Sequence, residues 1–116
     1  MPRETIDLVP GTLIMLILRV LRPESMHGYA IAQRIRQLSG DALQVEEGSL
    51  YPALQKMLLK GWVEAEWGIS GTKRRVRIYK LTPAGRKQLA RETREWHETA
   101  DLIAAFLSPR RGGESV

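Results

Sequence analysis

Cysteine is absent from the 116 residues. That excludes disulfides, thiolate metal sites and thiol nucleophiles, and it fits a reducing compartment. Histidine is scarce: His27 and His97 lie far apart, so the sequence offers no spacing for an imidazole metal cluster. Aromatic residues make up only 6% of the chain. No apolar run is long enough to span a membrane. The longest, Leu13 to Leu21, covers about a dozen residues with its flanks, against roughly 20 for a spanning helix, and Arg19 interrupts it. Acidic Glu4 and Asp7 before the run, and no small-residue cleavage site after it, argue against a secretion signal. There is no phosphate-cradling loop and no paired nucleophile and base, so the chain is not expected to be an enzyme or to carry a cofactor.

Basic charge is what the chain has in plenty. Lys and Arg number 18 against 13 Asp and Glu, a formal net charge of +5. Half of the basic residues fall between Lys73 and Arg94, where Glu92 is the single acidic one. A small basic domain with its charge gathered in one segment points to a polyanionic partner.

Hydrophobic spacing divides the chain into five elements. A first helix begins around Pro10 and ends near Leu21, ahead of Pro23. It is apolar nearly all round, which a short chain can bury only with difficulty unless a second subunit covers it. His27 leads into a second helix with Ile31, Ile35 and Leu38 on one stripe, stopped by Gly40. A third helix, from about Glu47 to Lys60, turns Leu50, Leu54, Met57 and Leu58 inward. Thr82-Pro83 then starts a helix that can run to Leu107, roughly 39 Å at 1.5 Å per residue.

Between the third and last helices the period changes to two. Trp62–Trp67 and Arg75–Tyr79 alternate as half-buried strands, with 68–73 as the turn. If Ser70-Gly71 is a two-residue turn, Glu66 faces Arg75 and Glu64 faces Arg77, while Val63 and Ala65 face Ile78 and Val76. Arg75 and Arg77 are then either cross-strand ion partners or contacts for a ligand; Lys73 and Arg74 at the tip have no acidic partner in this register.

The order of elements gives a mainly α fold with a β-hairpin wing: a winged helix-turn-helix over 1–81, a long dimerisation helix over 82–107 and a disordered tail over 108–116. In that fold the third helix enters the DNA major groove and the wing lies on the backbone. The outward arc of the third helix presents Ser49, Pro52 and Lys56, with Tyr51 on its flank. Lys73, Arg74, Arg75 and Arg77 form the basic wing. Ser49 also reads as a helix-start residue. Arg86, Lys87, Arg91 and Arg94 read more simply as a solvated helix face, and His27 as a helix-entry residue with its ring on backbone groups.

Several motifs carry a family resemblance. His27-Gly28-Tyr29-Ala30-Ile31, Gly48-Ser49-Leu50-Tyr51-Pro52-Ala53-Leu54, Leu58-Leu59-Lys60-Gly61-Trp62-Val63 and Arg77-Ile78-Tyr79-Lys80-Leu81-Thr82-Pro83-Ala84-Gly85 together resemble the PadR family of bacterial transcriptional regulators, over roughly Gly11 to Leu107. The resemblance implies a homodimeric winged-helix repressor of the cytoplasm. It makes Ser49, Tyr51 and Pro52 recognition-helix contacts, and Lys73, Arg74 and Arg75 wing contacts. With one helix after the wing, the chain is similar to the short members, which dimerise through that helix and the first.

The last helix points to a dimer independently. Leu89, Thr93, Trp96, Ala100, Ile103 and Leu107 are spaced as a coiled-coil seam, and Leu13, Leu16 and Ile17 of the first helix are expected to join them. Two-fold symmetry predicts an inverted-repeat operator with half-sites about one helical turn apart. In some short PadR-like regulators a tryptophan on the last helix stacks flat aromatic drugs. Trp96 resembles it and is either part of such a site for a small aromatic or cationic effector or plain interface core. The rival to DNA binding is a winged-helix module used for protein interaction or assembly.

Overall fold

Capping residues set the element ends in a computed structural model that describes residues 11–108. The helix α1 spans Thr12–Leu21, with Gly11 in a left-handed conformation at its start; Pro10, where the sequence places that start, lies outside the described residues. A two-residue strand β1, Met26–His27, precedes α2, Gly28–Leu38. His27 caps α2, its Nδ1 accepting from the Ala30 N–H at 3.3 Å, which is the helix-entry role read from the sequence. Helix α3 covers Glu47–Leu59, strands β2 and β3 cover Val63–Ile69 and Arg75–Leu81, and α4 covers Pro83–Leu107.

Thr82 joins two elements. Its hydroxyl accepts from the Gly85 N–H at 3.0 Å, capping α4, and donates to the Gly61 carbonyl at 2.6 Å, beyond the end of α3. Gly85 is buried against the Trp62 carbonyl, so any side chain there would meet backbone. The direction in which α4 leaves the domain is thereby tied to the α3–β2 junction.

One core unites the elements. Ile17, Leu18 and Leu21 of α1, Ile31 of α2, and Leu50, Leu54 and Met57 of α3 are fully buried, and no buried residue among those described is polar or charged. The single chain thus covers the second half of α1 by itself; Leu13 to Leu16 stay half-buried. Two residues assigned to a dimer seam belong to this core instead. Ile17 is 0% exposed and Leu89 5%, because α2, α3 and β3 of the same chain, with α4, pack round α1.

The sheet is antiparallel with order β1-β3-β2. Its register differs from the one expected. Val63 pairs with Leu81, Glu64 with Lys80, Trp67 with Arg77 and Ile69 with Arg75, a shift of three residues that exchanges the faces of β3 relative to β2. The strands also run longer, taking in Gly68 and Ile69 on one side and Lys80 and Leu81 on the other. The cause lies in the turn. Ser70 and Arg74 close it, through Ser70 N–H to Arg74 O at 2.8 Å, and Lys73 N–H returns to Ser70 O at 2.9 Å. That is a three-residue loop, Gly71-Thr72-Lys73, whose last residue is left-handed; the residue there is Lys73, at φ 64°.

Among the described residues no helix is long and apolar enough to cross a membrane. Nor is there a cluster of His, Asp or Glu able to hold a metal ion.

Candidate nucleic-acid interface

Where β2 and β3 outrun the core, their inner face continues past Val63, Leu81 and Tyr79 to Trp67, Arg77, Ile69 and Arg75. This free end of the hairpin leans over the amino end of α2 and the flank of α3. A cavity of about 770 Å³ lies between them. Arg74, Arg75 and Arg77 line the wing side, and His27, Tyr29 and Gln33 the α2 side, with Tyr51 from α3; no carboxylate lines it. Three guanidiniums with no acidic residue among them make a strongly anion-attracting cleft.

The wing arginines do not meet the acidic partners expected. Among the described residues the ion pairs are Arg34–Glu24, Arg36–Asp41 and Arg91–Glu95, and none involves Glu64 or Glu66. The corrected register explains this, since Glu64 and Glu66 occupy the face opposite Arg75 and Arg77. The two arginines stand over the Trp67 ring instead, at 4.2 Å and 5.4 Å from its centroid. The wing tip is braced by Ser70, whose Oγ is 3.0 Å from Thr72 Oγ1 and accepts from the Arg74 N–H at 3.2 Å. Lys73 and Arg74 are exposed.

On α3 the exposed amino end carries Ser49 and Pro52, on the arc the helical spacing indicated. Tyr51 is held more tightly than a free surface contact. A side chain at Gly28 would come within 2.8 Å of the Tyr51 hydroxyl, so glycine at that position lets the ring rest on the start of α2. Burial of the phenol, then the Glu47 carboxylate and Tyr79, raises its pKa above the ordinary 10.0. Tyr51 is therefore a neutral hydroxyl beside the cleft. Lys56 is the departure: its exposed side chain turns from the wing cleft and lines a second cavity, of about 580 Å³, between α1 and α4. Trp62 and Trp96 line the same cavity, with Ile14 and Met15 of α1 and Glu92 and Glu95 of α4.

Sequence reasoning passed over Trp67, Tyr29 and Gln33. Gln33 Nε2 donates to the Tyr29 hydroxyl at 3.0 Å on the exposed side of α2. Their spacing of four residues on one helix face was a readable signal; the approach of the wing to that face was not.

The family model for PadR-like transcriptional regulators matches residues 17–91, which takes in the core, the cleft and the wing. The chain belongs to the PadR family. Members of this family are transcriptional regulators and not enzymes. A transcriptional regulator of Mycobacterium tuberculosis is 32% identical over 96 residues, 83% of this chain and 86% of that protein. The negative transcriptional regulator PadR of Bacillus subtilis is 30% identical over 73 residues, 63% of this chain and 40% of its own. Among solved structures, a transcriptional regulator from Clostridium thermocellum superposes with a TM-score of 0.77 at 28% identity, over 84% of this chain and 95% of that one. Bacillus subtilis PadR, solved in complex with operator DNA, shares the fold at a TM-score of 0.61 and 24% identity, over 91% of this chain and 52% of its own.

Proposed function

We propose that this PadR-family chain is a DNA-binding transcriptional repressor that acts in the cytoplasm as a two-fold dimer on an inverted-repeat operator. The observation that carries the reading is the cleft between α2, α3 and the wing, lined by Arg74, Arg75 and Arg77 and by no carboxylate. Its polarity suits a sugar–phosphate strand, and the exposed amino end of α3 beside it suits a groove edge. Ser49 and Pro52 are assigned to base edges, Tyr51 to the flank of the same contact, and Lys73, Arg74, Arg75 and Arg77 to phosphates. Lys56, turned toward α4, is assigned away from the bases.

The two assignments separate by experiment. Arg74→Ala weakens binding to every duplex and lowers the slope of log affinity against log salt by about 1. Ser49→Ala shifts preference among operator variants and leaves the slope alone. Identical behaviour of the two variants would overturn the division.

Dimerisation is proposed through the half-buried start of α1, with Leu13 and Leu16, and the outer part of α4, with Thr93, Trp96, Ala100, Ile103 and Leu107. Beyond Leu89 no residue of α4 is buried by its own chain, and Trp96 is 41% and Phe106 86% exposed. An apolar stripe of that length calls for a partner. Trp96 also borders the second cavity, where its indole and that of Trp62 offer ring faces to a flat aromatic effector, while Glu92 and Glu95 are balanced by Lys56 and Arg91 in the same lining. Quenching of tryptophan fluorescence by a planar cation gives the affinity of the site, and Trp96→Ala is expected to weaken it at least tenfold with Trp62 still reporting; an unchanged affinity in the variant removes Trp96 from the effector site.

A further inference from the structure

Trp67 is 56% exposed on a DNA-facing wing, where a bare indole gains nothing from the core. Its ring is nonetheless occupied. Arg77, its direct cross-strand neighbour, and Arg75, two pairs nearer the tip, share its face of the hairpin and place both guanidiniums over the indole. Neither guanidinium has an ion-pair partner among the described residues. A guanidinium held over a ring by cation–π attraction commits none of its N–H donors to a carboxylate. Its N–H donors lie in the plane and remain available to an acceptor. Both arginines also line the cleft opposite Tyr29 and Gln33.

We propose that Trp67 is the positioning residue of the wing: its indole holds Arg75 and Arg77 as a pair, donors directed into the cleft, to receive adjacent phosphates of one DNA strand. The inference rests on the duplex-binding reading above and adds a residue with no charge of its own to that interface. Long side chains at a free hairpin end otherwise sample many rotamers, and binding must then order them. Cation–π attraction to the indole does part of that ordering in advance.

Trp67→Leu leaves the net charge of the protein intact, so a change in affinity cannot come from lost charge. Titrations of a labelled promoter fragment by fluorescence anisotropy, with thermal melts of each variant, test the idea. Trp67→Leu is expected to melt as wild type and to bind about fivefold more weakly. Trp67→Phe, which keeps a ring face, is expected within about twofold of wild type. In an Arg75→Gln/Arg77→Gln background the further Trp67→Leu change is expected to do nothing, because there is no guanidinium left to place. Trp67→Gln carries the same comparisons should the leucine variant aggregate. Wild-type affinity in Trp67→Leu, or an equal fivefold loss in the double-arginine background, overturns the positioning role while leaving duplex binding intact. A wild-type protein that binds no promoter fragment, even at low salt, removes the underlying reading as well.

Discussion

Lys73 sits in the left-handed region where the three-residue loop would ordinarily take glycine. Gly71, which the sequence offered as the turn residue, does not use its freedom there: its φ is not positive. A non-glycine residue in that conformation costs on the order of 1–2 kcal/mol. Keeping a lysine at such a place, exposed at the tip of a basic wing, is consistent with a job outside the fold. Lys73→Gly should raise the melting temperature, by the equivalent of about 1 kcal/mol, and yet weaken DNA binding and lower its salt slope by about 1. A variant that lost stability, or kept the slope, would separate the strain from the function. Tyr51 supplies a pH test. Its phenol holds its proton more tightly in the folded chain than in the unfolded one. As pH rises above 10, the unfolded state releases that proton first, so the folded state loses stability. Melting curves on both sides of that pH should show Tyr51→Phe losing less stability than wild type; equal losses would show that the phenol is not perturbed. Neither feature could be read from residue types alone. The sequence marks Lys73 as basic but not as left-handed, and it places Tyr51 on α3 without the Gly28 backbone beneath it.

At the level of elements, helices were the legible part. Proline and threonine at 82–83, Gly40 and Gly61 set helix ends that the structure repeats within a residue or two, because caps act locally. Strand β1 went unread since two residues carry no period. The wing was recognised as a hairpin, but its register was not, because pairing Glu64 and Glu66 with Arg75 and Arg77 is as reasonable on charge as stacking two arginines on Trp67. The loop decided between them. Helix α4 shows the converse case, in which the pattern runs ahead of a single chain. Its seam spacing is plain in the sequence, yet only Gly85 and Leu89 are buried, and Leu102, Ile103, Phe106 and Leu107 stand exposed. A charge on that stripe is the direct test of what covers it. Ile103→Asp should convert a dimer to a monomer by light scattering at micromolar concentration. It should also weaken operator binding at least tenfold, as the two half-sites are no longer engaged together. An unchanged dimer would place the interface elsewhere.

For the molecule as a whole, the fold puts two unlike surfaces on one small body. The core of α1, α2, α3 and the inner sheet face holds the wing cleft at one place and sends α4 outward, giving extents of 62 × 39 × 23 Å. Thr82 and Gly85 fix the angle between them, so any partner that seats α4 also sets where the wing points. A dimer built on α4 would therefore present two arginine-lined clefts at a fixed spacing, and reading an inverted repeat requires a fixed spacing of that kind. The most direct measurement is anisotropy titration of the purified protein with the duplex upstream of its own gene, against a shuffled duplex of equal length, over a range of salt. A dimeric PadR-family repressor should bind the promoter fragment with two protomers per site, at least a hundredfold more tightly than the shuffled one, with affinity falling steeply as salt rises. Equal binding of the two duplexes at every salt concentration, or none at all, would contradict it.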